Sequence, residues 1–177
     1  MWLDGADRIT AVDDAWLGFA AANDAPELTR QAVVGVPLYE FVSGLEVAEL
    51  TRRLLARARA GLGARAIPFR CDHPGGRRYM TMSVEPEPSD GLRLEYSIER
   101  EEPRPWAPLV DRRASRSEEL LRVCSWCNRA AVDGAWLELD ELLRRSELFA
   151  RRGPVPRLTH GLCQDCARKL RGDESAS

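Results

Sequence analysis

Four of the five cysteines fall in two short pairs, Cys124-Ser-Trp-Cys127 and Cys163-Gln-Asp-Cys166. Two residues between cysteines allow a tight turn, or the first turn of a helix, to aim both sulfurs at one point. Two such pairs supply the complete tetrahedral shell of Zn2+. A shell of four protein sulfurs keeps no place for water or substrate, so the expected role of the metal is structural. The same residues could be unrelated buried or reactive thiols, but a doubled pair in a reducing compartment points to metal. Iron in a rubredoxin-like site has the same ligand geometry. The flanking Ser, Trp, Gln and Asp differ from the small residues of such a redox site, which favours zinc.

The remaining reactive residue types carry weaker signals. His160 precedes Cys163 by three residues. It could be a ligand if one cysteine is not; with four sulfurs present, its expected place is just outside the ligand shell, or in a turn. Trp126 and Trp136 could form an exposed binding surface, or the miniature core that a small metal module needs; the core is the expectation. Cys71 reads as a small apolar strand residue, not a redox or adduct-forming one. His73 stands beside a Pro-Gly-Gly turn and is not expected to bind haem. Neither histidine has a nucleophile or general acid in its sequence context, and no phosphate-binding glycine motif is present. The chain is not expected to be an enzyme.

The elements that would position these groups follow from periodicity. Met1 to Asp4 and Arg8 to Val12 flank Gly-Ala-Asp, a hairpin signal. Asp13 or Asp14 can cap a helix carrying Trp16, Leu17, Phe19 and Ala20. A second helix is expected from about Leu45 to Ala60, with Val47, Leu50, Leu54, Leu55 and Ala58 on one face and Gly61 and Gly63 ending it. Three strands follow, in which Ile67, Phe69 and Cys71, then Met80, Met82 and Val84, then Leu92, Leu94, Tyr96 and Ile98 share the inward face. Pro68 cannot donate to a ladder, so its strand belongs at an edge. Residues 103–117 hold three closely spaced prolines and mixed charge and read as a linker. The expected organisation is a sensor unit at 1–102, this linker, a zinc-binding module at 118–172 and a polar tail at 173–177. In the module, Trp136, Leu139, Leu142 and Leu143 fit a strand entering a short helix, and Gln164 to Arg171 fits a helix opened by the second cysteine pair. Its N-terminal dipole would favour thiolates.

The order of two strands, a helical crossing and three antiparallel strands is the layout of a PAS domain, an α+β fold with a five-stranded antiparallel sheet. The segments Asp7-Arg-Ile-Thr-Ala-Val-Asp-Asp-Ala-Trp-Leu-Gly-Phe-Ala20, Val34-Gly-Val-Pro-Leu-Tyr-Glu-Phe41 and Pro68-Phe-Arg-Cys-Asp-His-Pro74 resemble a group of bacterial PAS-like proteins. In that group a cysteine-rich tail follows the PAS domain, as Cys-Ser-Trp-Cys and Leu158-Thr-His-Gly-Leu-Cys163 do here. His73 replaces the serine usual at its place, and Leu162 and Gln164 replace Ile and Pro. The resemblance implies a sensor of small ligands, cofactors or redox state that dimerises. A ligand pocket in such a domain would draw on Trp16, Phe19, Phe41, Phe69, Met80, Met82, Leu94 and Tyr96. The tail's spacing suggests a treble-clef-like or zinc-ribbon-like module.

Composition narrows the function classes. The chain has 177 residues, 44% hydrophobic, with 26 basic and 28 acidic residues and a net charge of −2. Bulk charge therefore gives no drive toward nucleic acid. No run nears the ~20 apolar residues of a membrane span. The first residues show no cationic segment leading into an apolar run, so the expected compartment is the cytoplasm. These readings converge on a non-catalytic signalling protein that senses a small ligand or partner and docks protein partners, as a homodimer or otherwise. Its rivals are a zinc-containing transcription regulator that touches DNA and a thiol switch that releases zinc on oxidation. Arg77-Arg78 and Arg151-Arg152, with Arg157, Arg168, Lys169 and Arg171, could give the zinc module a basic face.

Overall fold

The computed structural model describes residues 1–145 and 153–171. The Arg151-Arg152 pair and the tail 173–177 lie outside the described residues. The chain is α+β and divides into two compact units. One comprises Met1–Ser43, Ala48–Pro68 and Met80–Ile98, the other Gly44–Val47, Phe69–Tyr79 and Glu99–Ser177. Residues 69–79 thus group with the cysteine-bearing segment. Residues 103–117 hold the buried residues Arg104, Ala107 and Leu109. No helix among the described residues is long and apolar enough to cross a membrane.

The first unit begins with β1 (Trp2–Leu3) and β2 (Ile9–Ala11), paired antiparallel. The turn between them is shaped by Asp4, whose carboxylate accepts from the Ala6 and Arg8 amides at 2.9 Å each. Asp13 caps α1 (Asp14–Ala22), accepting from the Trp16 amide at 2.7 Å. The stretch after it holds a short α2 (Arg30–Val33), capped by Thr29, and a 3-10 turn at Leu38–Phe41. Next comes α3 (Leu45–Arg59), which buries Val47, Ala48, Leu55 and Ala58. Gly61, at φ +75°, takes the left-handed conformation that ends such a helix.

Then follow β3 (Ala64–Arg70), β4 (Gly76–Pro86) and β5 (Leu92–Pro103). They complete a five-stranded antiparallel sheet in the order β2-β1-β5-β4-β3, with the Pro68 strand at an edge. The core of this unit gathers Leu3, Ile9, Val33, Leu38, Leu55, Val84, Leu92 and Leu94. Alternation along β5 predicts four inward residues, yet Tyr96 and Ile98 are 38% and 50% exposed. A strand of 12 residues spans about 40 Å and outruns one core. Outside the core, Arg59 ties the loops together. It donates to the Asp7 carboxylate at 2.7 Å, the Asp4 carbonyl at 2.9 Å and the Asp90 carbonyl at 2.8 Å. Tyr39 donates to the other Asp7 oxygen at 2.6 Å. Burial and that acidic partner together push the Tyr39 phenol well above its ordinary range.

The second unit carries β6 (Arg116–Cys124), β7 (Ala130–Val132), β8 (Ala135–Leu137), α4 (Leu139–Arg145), β9 (Val155–Gly161) and α5 (Gln164–Arg171). The sheet order is β8-β7-β6-β9, antiparallel except for the parallel β6–β9 pair. Leu109, Val123, Ala130, Leu139, Leu142 and Val155 make its apolar core. Beside it lies a buried charge network centred on Asp72, whose side chain is fully buried. Asp72 accepts a two-pronged contact from Arg70, a 3.0 Å bond from Arg104 and a 3.3 Å bond from the Arg78 amide. Arg104 also donates to the His73 carbonyl at 2.8 Å, and Arg70 to Glu138 at 2.6 Å. Burial works against the charge of Arg70, but its bonds to Asp72 and Glu138 more than offset this.

Breaking a buried ion pair from one side costs about 3–5 kcal/mol, because the remaining charges stay buried without their partner. Asp72→Asn keeps the shape and removes the anion shared by Arg70 and Arg104. It is expected to lower stability by about that amount, read as a fall in the urea midpoint at unchanged slope.

Candidate metal centre

The two cysteine pairs stand at the same end of one parallel strand pair. β6 ends at Cys124, and its neighbour β9 ends at Gly161, opposite Cys124 in register. The chain after Cys124 folds into a tight knuckle, with the Asn128 amide donating to the Cys124 carbonyl at 2.9 Å and the Cys124 amide to the Arg129 carbonyl at 2.8 Å. Asn128 takes a left-handed φ of +57°, tolerable for Asn, which lets the knuckle reverse. Across the pair, the Ser125 amide donates to the Gly161 carbonyl at 2.9 Å. This bond places the knuckle beside the start of α5, whose first turn carries Cys166, with Cys163 immediately before it.

All four sulfurs lie within 4.8 Å of one another, and Cys127 and Cys163 are 3.8 Å apart. Zinc–sulfur bonds of about 2.3 Å put tetrahedral ligands about 3.8 Å from each other, so this separation suits a common ion. Cys124, Cys163 and Cys166 are buried. Trp126, Trp136, Leu162 and Leu170 pack against the sulfurs, which is the miniature core expected of the two tryptophans. Backbone amides aim at the sulfurs as well: Cys163 N–H to Cys124 Sγ and Cys166 N–H to Cys163 Sγ, each at 3.4 Å. The four cysteines could therefore hold a metal ion such as zinc.

Electrostatics fit a cation at this point. Hydrogen bonds from Cys124 and Cys166, and then Arg129, pull the Cys127 thiol far down toward thiolate. The same sharing pushes Cys124 and Cys166 up. Arg129 was not singled out by the spacing of the cysteines. Its guanidinium reaches Cys127 Sγ and Cys163 Sγ at 3.3 Å each and is steadied by Asp165 at 2.9 Å. A four-thiolate site around a divalent ion keeps two negative charges, and Arg129 offsets part of them.

The other candidates are placed as follows. His160 lies in β9, not in a turn; its side chain is exposed and outside the four-sulfur group. Cys71 is separate from that group, and burial pushes its thiol up, away from reactivity. Among the eight pocket candidates, Met80 and Leu94 are buried, Trp16 and Met82 pack on the first unit's core, and Phe19 is half-buried. Phe41 and Tyr96 are exposed. Phe69 belongs to the second unit, its ring 6.1 Å from Trp126. The residue after it, Arg70, donates its amide to the Trp126 carbonyl at 2.9 Å. The Pro68–Pro74 motif thus supports the knuckle, a role that strand alternation did not reveal. Arg168 pairs with Asp165, Arg77 with Asp140 and Arg78 with Glu101, so those parts of the expected basic face are neutralised.

No family model matches the chain, and no curated protein or solved structure matches it either.

Elemental analysis of the purified protein is expected to give one zinc per chain. Replacing either cysteine pair by serine should abolish it and lower the thermal midpoint by roughly 10 °C or more, since structural zinc binding is folding free energy. Arg129→Gln should retain the metal but release it several-fold faster to a chelator, measured by a chromogenic zinc indicator, because less positive charge then faces the sulfurs.

Proposed function

We propose that this chain is a non-catalytic bacterial signalling protein, in which a PAS-like unit receives a small ligand or partner and a structural zinc module docks a protein. The observation that carries this reading is the closed four-sulfur group. A metal surrounded by four cysteines has no free position for substrate, so its use is to hold a surface in shape. The strand order β2-β1-β5-β4-β3, with helices crossing between β2 and β3, supports the PAS-like assignment of the first sheet. The knuckle at Cys124–Cys127, the β7–β8 hairpin and α5 bearing the second pair support a treble-clef-like module. Sensing by such a unit works by shifting a population between two states, to the extent that the ligand binds one of them better. Signal output then passes through protein contact, including contact with a second copy.

Native mass spectrometry of the full-length protein tests this reading. The expected spectrum holds zinc and either a retained small molecule or a discrete homodimer. A metal-free spectrum overturns the structural-zinc role. Salt-sensitive binding of duplex DNA, with affinity falling steeply as salt rises, would replace the protein-docking role with the transcription-regulator reading.

A further inference from the structure

We infer, on the reading of the four cysteines as a metal centre, that the first turn of α3 is a latch on the segment entering Cys163, with Glu46 as the positioning residue that ties metal retention to the packing of α3. Gly44–Val47 groups with the second unit, whereas the rest of α3 groups with the first. One continuous helix thus has its first turn in the cysteine-bearing unit and its body in the other.

Glu46 is the fastening point. One of its carboxylate oxygens accepts the Leu162 amide at 3.1 Å and the Arg122 guanidinium at 3.0 Å. Leu162 is bonded directly to Cys163 and packs against the sulfurs. Arg122 lies over the Trp136 ring, 5.8 Å from its centroid, and Trp136 packs against the same sulfurs. A single oxygen therefore holds both the chain that enters the second cysteine pair and the arginine above the miniature core. The backbone around it is closely fitted at two glycines. A Cβ on Gly44 would lie 2.9 Å from the His160 carbonyl oxygen, and its φ of +95° itself disfavours a side chain. A Cβ on Gly161 would lie 2.5 Å from Arg122 Nη2. The Glu46 and Arg122 side chains are more than half and about half exposed, so their pairing alone is weak. Its effect comes from placement: it acts one residue before a ligand, where an outer contact sets orientation. By reciprocity, whatever the latch adds to metal binding, the metal adds to holding the first turn of α3.

The test uses the full-length protein, zinc-loaded and zinc-stripped, as wild type, Glu46→Ala and Glu46→Gln. Zinc release to excess chelator is expected to be about fivefold faster in Glu46→Ala, with zinc still bound at the start. Glu46→Gln should fall closer to wild type, because its amide oxygen still accepts the Leu162 N–H. Amide exchange over Val47–Leu54, read by mass spectrometry, is expected to speed up about tenfold when zinc is stripped from the wild type. In Glu46→Ala stripping should change it less than about twofold, since the latch is already open. A side chain that merely stabilised the fold would speed exchange alike in both metal states and leave this zinc dependence unchanged. Gly44→Ala keeps the carboxylate but forces the turn off His160, and it should reproduce the Glu46→Ala pattern. Equal release rates in wild type and Glu46→Ala, or the same zinc dependence of exchange in both, would overturn the latch and leave the metal centre standing. A wild type that carries no zinc would overturn the metal reading, and the latch with it.

Discussion

Four sulfurs brought within ligand distance by one parallel strand pair form the constraint on which the second unit depends. Thiolates repel one another, and a cluster of four is tolerable only with positive charge at its centre and donors around it. The protein supplies donors from three directions: the amides of Cys163 and Cys166 and the guanidinium of Arg129. Of these donors only Arg129 carries a charge, less than four thiolates would need. A divalent ion at the centre would complete this arrangement. The β6–β9 register then matters directly, because sliding either strand by one residue would turn Cys124 away from the start of α5.

The second constraint is the burial of Asp72. Its segment is polar by composition, yet the carboxylate is fully enclosed and three arginines supply its hydrogen bonds. Such a network contributes little net stability compared with an apolar core, but its loss from one side is costly. It fixes the segment that also reaches the knuckle through the Arg70 amide and the Phe69 ring. The cysteine knuckle is therefore supported by residues some fifty positions away in sequence, and positioning residues of this kind can tune a metal site without touching the ion.

Much of the fold was legible because its signals are local. The Asp13 cap, the α3 stripe ending at Gly61, the edge placement of Pro68 and the α5 helix all follow from residue type and spacing. The grouping of the four cysteines was legible for the same reason. Parallel pairing of β6 with β9 was not, since partners forty residues apart leave no local mark, and β6 itself lacks clean alternation: Leu120 is 68% exposed. On β5 the alternation predicted four inward residues, but burial ends at Leu94, where the core ends, and Tyr96 and Ile98 are exposed. Asp72 and Arg129 could not be picked out, because a charged residue looks the same in sequence whether it meets solvent or a buried partner.

The arginine bias of the composition gains a physical meaning from these sites. Lys169 is the single lysine among 26 basic residues. Arg59 serves three acceptors on two loops, Arg70 grips Asp72 with two nitrogens and reaches Glu138 with a third, Arg116 holds three carbonyls, and Arg129 spans two sulfurs and a carboxylate. A lysine ammonium is a compact point donor, and burial readily neutralises it. The guanidinium is planar, keeps its charge when enclosed and directs several N–H groups at once. A chain that fastens loops, a buried carboxylate and a thiolate cluster through single cations therefore needs arginine at those positions, and lysine there would keep the charge formally while losing the geometry.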